Sequence, residues 1–130
     1  MLETALALFP EPFLDWFKRR GWTPRAHQTG LLQFANDGKS ALLIAPTGAG
    51  KTLAGFLPSL IALSQKPKRR TGERPRGIHT LYISPLKALA VDIERNLMKP
   101  VTEMGLNISV ETRTGDTPVH KRQRQKLNPP

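Results

Sequence analysis

Residues 45–52 read Ala-Pro-Thr-Gly-Ala-Gly-Lys-Thr. Gly48 and Gly50 can take backbone angles closed to residues with a Cβ. The N–H groups of Thr47, Gly48, Ala49, Gly50, Lys51 and Thr52 can therefore curl into a nest that cradles phosphate oxygens. Lys51 would reach the β- and γ-phosphates, and the Thr52 hydroxyl would ligate Mg2+. These residues are the candidate site for a nucleoside triphosphate, with Lys51 and Thr52 nearest the chemistry. One departure from the usual pattern is the leading position, which is Ala45 rather than glycine.

Such a loop works only between a strand and a helix. The apolar run Ala41-Leu-Leu-Ile44 precedes it, and Leu53, Phe56, Leu57, Leu60 and Ile61 follow at helical spacing. The spacing predicts a strand over residues 40–45 and a helix to about residue 63, kinked at Pro58 because proline removes a hydrogen bond. Upstream, residues 2–20 read as helical with a break at residues 9–12, Pro12 in a first turn and Gly21 as the stop. Phe9, Phe13, Trp16 and Phe17 share one face, which suits packing on the domain better than base stacking. A further helix is expected over residues 24–36, ending at Asp37-Gly38. Downstream come a strand over residues 79–84, a helix stopped by Pro100, an alternating strand over residues 107–111, and a basic helical tail over residues 120–126.

Strand alternating with helix implies an α/β fold with a largely parallel sheet. Three loops, Pro46–Lys51, Ser84–Lys87 and Thr112–Thr117, then follow strand carboxyl ends, the edge where such sheets bind ligands.

The 130 residues carry 20 Lys and Arg against 10 Asp and Glu, a net charge of +10. That excess suits a polyanionic partner, most simply nucleic acid. No run approaches a membrane span, and the N-terminus lacks the charged start of a signal peptide, so a cytoplasmic protein without a membrane partner is expected. Cysteine is absent, and the three histidines are scattered. Residues 65–77 form a polar loop with six basic residues and one acid. It reads first as a solvated linker and second as a contact to a phosphate backbone.

Together these stretches resemble the opening part of a superfamily 2 helicase, the DEAD/DExH-box class with RecA-like domains. Residues 16–28, ending Thr-Pro-Arg-Ala-His-Gln, are similar to that family's adenine-recognition segment. The resemblance implies that Gln28 pairs with the adenine edge and that Arg25 stacks near its face; taken alone, Gln28 would read as an exposed helix residue. Residues 45–52 resemble the family's first motif, in which a leading alanine is common. Residues 82–92 resemble the next, implying that Pro85, Leu86, Lys87, Ala88 and Leu89 hold a nucleic-acid strand by its backbone. Residues 112–117, Thr-Arg-Thr-Gly-Asp-Thr, resemble a further strand-facing segment that would use Arg113, Gly115, Asp116 and Thr117; a simple tight turn explains them almost as well. The combination looks most like the Lhr (large helicase-related) type, which includes DExH helicases associated with DNA ligase in repair.

The resemblance implies ATP and Mg2+ as cofactors. It implies single-stranded or duplex nucleic acid, DNA before RNA, as partner, along with the remainder of a longer helicase and ligase-associated repair proteins. The family's Asp-Glu-x-His segment, which organises Mg2+ and water, does not occur in these residues. The expectation is an incomplete first helicase domain, inactive alone, with residues 1–38 as helices and adenine segment and residues 39–130 as the partial RecA-like domain. Two rivals are a small P-loop nucleotide or metabolite kinase and a non-enzymatic basic nucleic-acid-binding module.

Overall fold

The structure is a computed structural model that describes residues 2–46 and 50–130. Six helices follow in order: α1 Leu2–Leu6, α2 Glu11–Arg19, α3 Ala26–Asn36, α4 Lys51–Ser64, α5 Lys87–Glu103 and α6 Val119–Leu127. The break after α1, the start of α2 with a proline in its first turn, and the stops at Gly21 and Gly38 all fall where the sequence places them.

One core joins the elements. Phe9, Phe13, Trp16 and Phe17 meet Leu32 of α3, then Phe56, Leu57, Leu60 and Ile61 of α4, then Leu97 and Val101 of α5. Phe13 and Leu57 are 0 % exposed. Full burial of each such side chain contributes about 1.5–3 kcal/mol, which makes this cluster the main source of stability. The aromatic face of the N-terminal region is therefore packing, as its spacing suggests. α3 lies along α4, and α4 touches α5, so the core fixes the helices that carry residues 25–28, 50–52 and 87.

One expectation is met only in part and a second is corrected. The helices of the expected α/β fold are formed, but its parallel sheet is not confirmed: among the described residues there is no strand, and no backbone hydrogen bond joins residues 40–45, 79–84 and 107–111. A parallel strand needs a neighbour to take its N–H and C=O groups, and helices to cover its faces. Here Leu42 and Ile44 are 85 % and 87 % exposed, so the apolar run has no such neighbour. Residues 106–110 keep the alternation of a strand without its ladder, because Leu106, Ile108 and Val110 lean on the core while Asn107 and Ser109 are exposed. Tyr82 rests against Phe56 at 5.3 Å between ring centroids.

The correction concerns α5, which passes through Pro100 and ends only at Glu103. Pro100 forfeits one N–H but still accepts the helix-closing bond from Met104 N–H at 3.0 Å. The stop is Gly105, whose φ of +64° lets its own N–H and that of Leu106 turn back onto the Thr102 and Val101 carbonyls.

A polar clasp ties α2 to the end of α5. The Glu103 carboxylate accepts the Trp16 indole N–H at 2.7 Å and the Arg20 guanidinium at 3.0 and 2.5 Å. Arg20 also lies over the rings of Trp16 and Trp22, 5.3 and 4.9 Å from their centroids. An acid in the last turn of a helix opposes the helix dipole, so these partners are what make Glu103 favourable there. Arg20, and then the Trp16 indole, hold the Glu103 carboxyl below its ordinary value of 4.5. A depressed carboxyl keeps its contacts above that value and loses them as pH falls through the folded one. Tryptophan fluorescence should therefore stay flat from neutral pH past 4.5 and change only below it. Glu103→Gln should remove that transition; a midpoint at or above 4.5 would contradict the clasp.

Candidate nucleotide and nucleic-acid site

The nucleotide side is built where α3 meets α4. Thr47, Gly48 and Ala49 of the predicted phosphate loop lie outside the described residues. Gly50 precedes α4 at φ +74°, ψ +32°, the left-handed region that favours glycine. The backbone angle is what favours glycine; a Cβ on Gly50 would also stand 3.0 Å from the Gln28 Nε2, close enough to push that amide aside. The first bond of α4 runs from Ala54 N–H to the Gly50 carbonyl. The N–H groups of Lys51, Thr52 and Leu53 thus precede the helical ladder and are free for an anion. Lys51 and Thr52 are exposed in this first turn. Exposed ammonium, hydroxyl and amide donors around one helix start fit a triphosphate.

Gln28 is buried, at 4 % exposure, rather than an exposed helix residue. Its Oε1 accepts the Arg25 N–H at 2.9 Å, while its own N–H bonds back to the Arg25 carbonyl at 2.9 Å. This reciprocal cap fixes the start of α3 and aims the amide at Gly50. Arg25 is exposed at that same start. Gln28, predicted for the adenine, and Gly50, predicted for the phosphates, are therefore neighbours. An open groove of about 470 Å3 lies beside them between α3, α4 and residues 39–43, with Lys51 on its wall. Gln28 is not among its lining residues, so this groove is not the place for the base.

The strand side is built where α5 begins. Pro85, Leu86, Lys87, Ala88 and Leu89 are all exposed there, and Lys87 opens the helix. The Lys87 Nζ meets the Asp116 Oδ2 at 2.9 Å. A Cβ on Gly115 would lie 3.7 Å from the Lys87 Cε and Nζ, so the lysine passes over that glycine. Two segments almost thirty positions apart, each singled out in the sequence, are thus brought together. Arg113 is exposed beside them, and Thr117 Oγ1 accepts the Thr114 N–H at 2.9 Å inside the turn.

Sequence reasoning missed what shapes this turn. Arg122 of α6 donates to the carbonyls of Thr117, Thr114 and Gly115 at 2.9, 2.9 and 2.6 Å. Gln125, 8 % exposed, donates to Glu111 at 3.0 Å and to the Thr112 carbonyl at 3.1 Å. Burial pushes the Glu111 carboxyl upward, but hydrogen bonds from Arg124 and Gln125 outweigh it and hold it below its ordinary value. One inward face of α6 therefore clamps the turn from behind. In the sequence it was only part of a basic tail, and no local signal marks Arg122 as different from its neighbours. Among the described residues, no group of three His, Cys, Asp or Glu side chains could hold a metal ion. No helix among them is long and apolar enough to cross a membrane.

Residues 25–129 match the DEAD/DEAH box helicases, a span running from the cap of α3 through the turn and α6. The chain belongs to the DEAD/DEAH box helicase family. Within it, the chain is 42 % identical over 126 residues to the Lhr helicase/probable uracil glycosylase of Mycolicibacterium smegmatis, covering 89 % of this chain and 8 % of that protein. It is 37 % identical over 137 residues to the ATP-dependent helicase Lhr-Core of Sulfolobus acidocaldarius, covering 98 % of this chain and 15 % of that one. The crystal structure of the DUF1998 helicase MrfA bound to DNA and AMPPNP superposes with a TM-score of 0.75 at 32 % identity, over 93 % of this chain and 16 % of that one. The chain thus spans a small part of the length of these helicases. The helices and loops described here follow a helicase domain's fold.

Proposed function

We propose that this chain is the N-terminal part of an Lhr-type, ATP-dependent nucleic-acid helicase of the cytoplasm that moves along one strand of a duplex and unwinds it. Gln28 and Arg25 read the adenine, and the loop from Thr47 to Thr52 holds the phosphates, with Lys51 on the β- and γ-phosphates. Thr52 would hold Mg2+, an ion that would supply neutralisation of phosphate charge at this helix start. Carboxylates from the rest of the helicase would be needed beside it, so these residues alone are inactive. Residues 40–45, 79–84 and 107–111 become strands of a parallel, RecA-like sheet once neighbours from the rest of the helicase take their free backbone groups. DNA is the first substrate to consider, and ligase-associated repair a setting for it.

The observation that carries this reading is the junction of Lys87 with Asp116 over Gly115, held on the same core as Gln28 and Gly50. A compact ammonium beside a pinned turn suits a phosphate backbone of any sequence. The kinase rival is not favoured, because residues 25–129 match the DEAD/DEAH box helicases. The test is ATP turnover by the intact protein against increasing single-stranded DNA, with RNA in parallel. Lys87→Ala removes a charge-assisted contact worth about 1.5 kcal/mol, so half-maximal stimulation should need roughly tenfold more DNA. If added strand leaves turnover unchanged in the unaltered protein, the reading is wrong.

A further inference from the structure

The charge excess does not sit at the junction just described. Residues 65–77 and 119–130 together hold ten of the twenty Lys and Arg side chains and one of the ten Asp and Glu. Those two segments carry nine of the ten net positive charges, and the rest of the chain is nearly neutral. Far apart in sequence, they meet in the fold, where the Arg69 guanidinium donates to the Asn128 Oδ1 at 3.4 Å.

The first segment is a folded lobe rather than a loose run. Arg76 donates to the Pro67 carbonyl at 3.0 Å, closing the base, and the Glu73 N–H bonds to the Arg70 carbonyl at 3.2 Å across the tip. Its only acid, Glu73, is spent on Arg76 at 3.8 Å. Lys68, Arg69, Arg70 and Arg74 are left exposed, and Lys126 is exposed on α6 beyond them. Gathering like charges within a screening length of about 10 Å costs free energy unless a polyanion relieves it.

From this placement we infer that the lobe and the outer face of α6 form a second nucleic-acid surface, one that takes the phosphate backbone of a duplex. Neither segment has a Phe, Tyr or Trp, whereas single-strand grooves stack bases on such rings. Residues 65–77 have no apolar side chain larger than proline, and Val119 and Leu127 are the only apolar residues of α6, so no face exists to enter a membrane. The position is the second argument, and it rests on the reading above. α6 holds the strand-facing turn by Arg122 on one side and meets the lobe at Asn128 on the other. A polyanion leaving the turn along α6 arrives at the lobe.

The test compares the salt dependence of binding for a blunt DNA duplex and for single-stranded oligothymidine, using the intact protein and its Lys68→Gln/Arg70→Gln/Arg74→Gln variant. Each phosphate contact contributes about 0.9 to the slope of log affinity against log salt on duplex DNA, so the triple change should flatten the duplex slope by about 2.7. The oligothymidine slope should not move. An unchanged duplex slope overturns the inference, as does an equal fall in both slopes, which would make the lobe part of the strand path. Loss of binding to phosphatidylserine vesicles with the duplex slope intact overturns it in favour of a membrane. Lys87→Ala serves as the separate control: if it leaves oligothymidine binding unchanged, the junction reading fails, whatever the lobe does.

Discussion

Replacing Lys51 with alanine should weaken binding of a fluorescent ATP analogue to the intact protein by about ten- to a hundredfold. Hydrogen bonds to charged groups are worth roughly 1.5–3 kcal/mol, and the lysine makes such bonds to phosphate oxygens in the proposed site. The side chain is exposed in the first turn of α4, so its loss leaves no cavity and the fold should survive. Circular dichroism of the variant checks that point. ATP binding that ignores the change would place the phosphates elsewhere and return the chain to the basic-module rival. The alanine is informative because the rest of the phosphate machinery stays in place. The amides of residues 51–53 still point out of the helix start, and Gly50 still lies against Gln28. What is lost is one cation. Competition by GTP adds a second readout, since only a site that uses Gln28 has a means of preferring adenine.

Much of this arrangement was legible because its signals are local. The proline in the first turn of α2, the glycines after α2 and α3, and the apolar spacing of α4 are decided within a few residues. The glycine that turns the chain into α4 at Lys51 was legible for the same reason. The sheet was not, because a strand is a relation between segments: residues 40–45 have strand character but no partner here. Pro100 misled because the burial of Leu97, Pro100 and Val101 around it offsets a proline penalty of about 3 kcal/mol. The Arg20–Glu103 clasp and the Arg122 clamp were invisible for a further reason. Each joins a side chain to a group distant in sequence or to backbone carbonyls, and neither leaves a spacing to read.

The same contrast between local type and tertiary place predicts how two aromatic substitutions will differ. Phe13 is 0 % exposed in the cluster that joins α2 to α3, α4 and α5, whereas Phe34 is 46 % exposed on α3. Phe13→Ala should cost about 3–5 kcal/mol, the lost transfer energy together with the cavity left in a close-packed site. Phe34→Ala, on a surface that can relax, should cost less than about 1 kcal/mol. Urea unfolding followed by circular dichroism measures both, provided that the slope of the transition is unchanged. Equal costs would mean that the N-terminal helices do not rest on this core. The consequence reaches the site, because the chain leaves α2 at Arg19 and passes through Trp22 into the Arg25–Gln28 cap. If the helix lifts from the core, the amide of Gln28 no longer has a fixed place against Gly50. Phe13→Ala should therefore lower ATP affinity as well as stability, and Phe34→Ala should lower neither much. An aromatic far from any phosphate would then govern nucleotide binding through the packing of one helix.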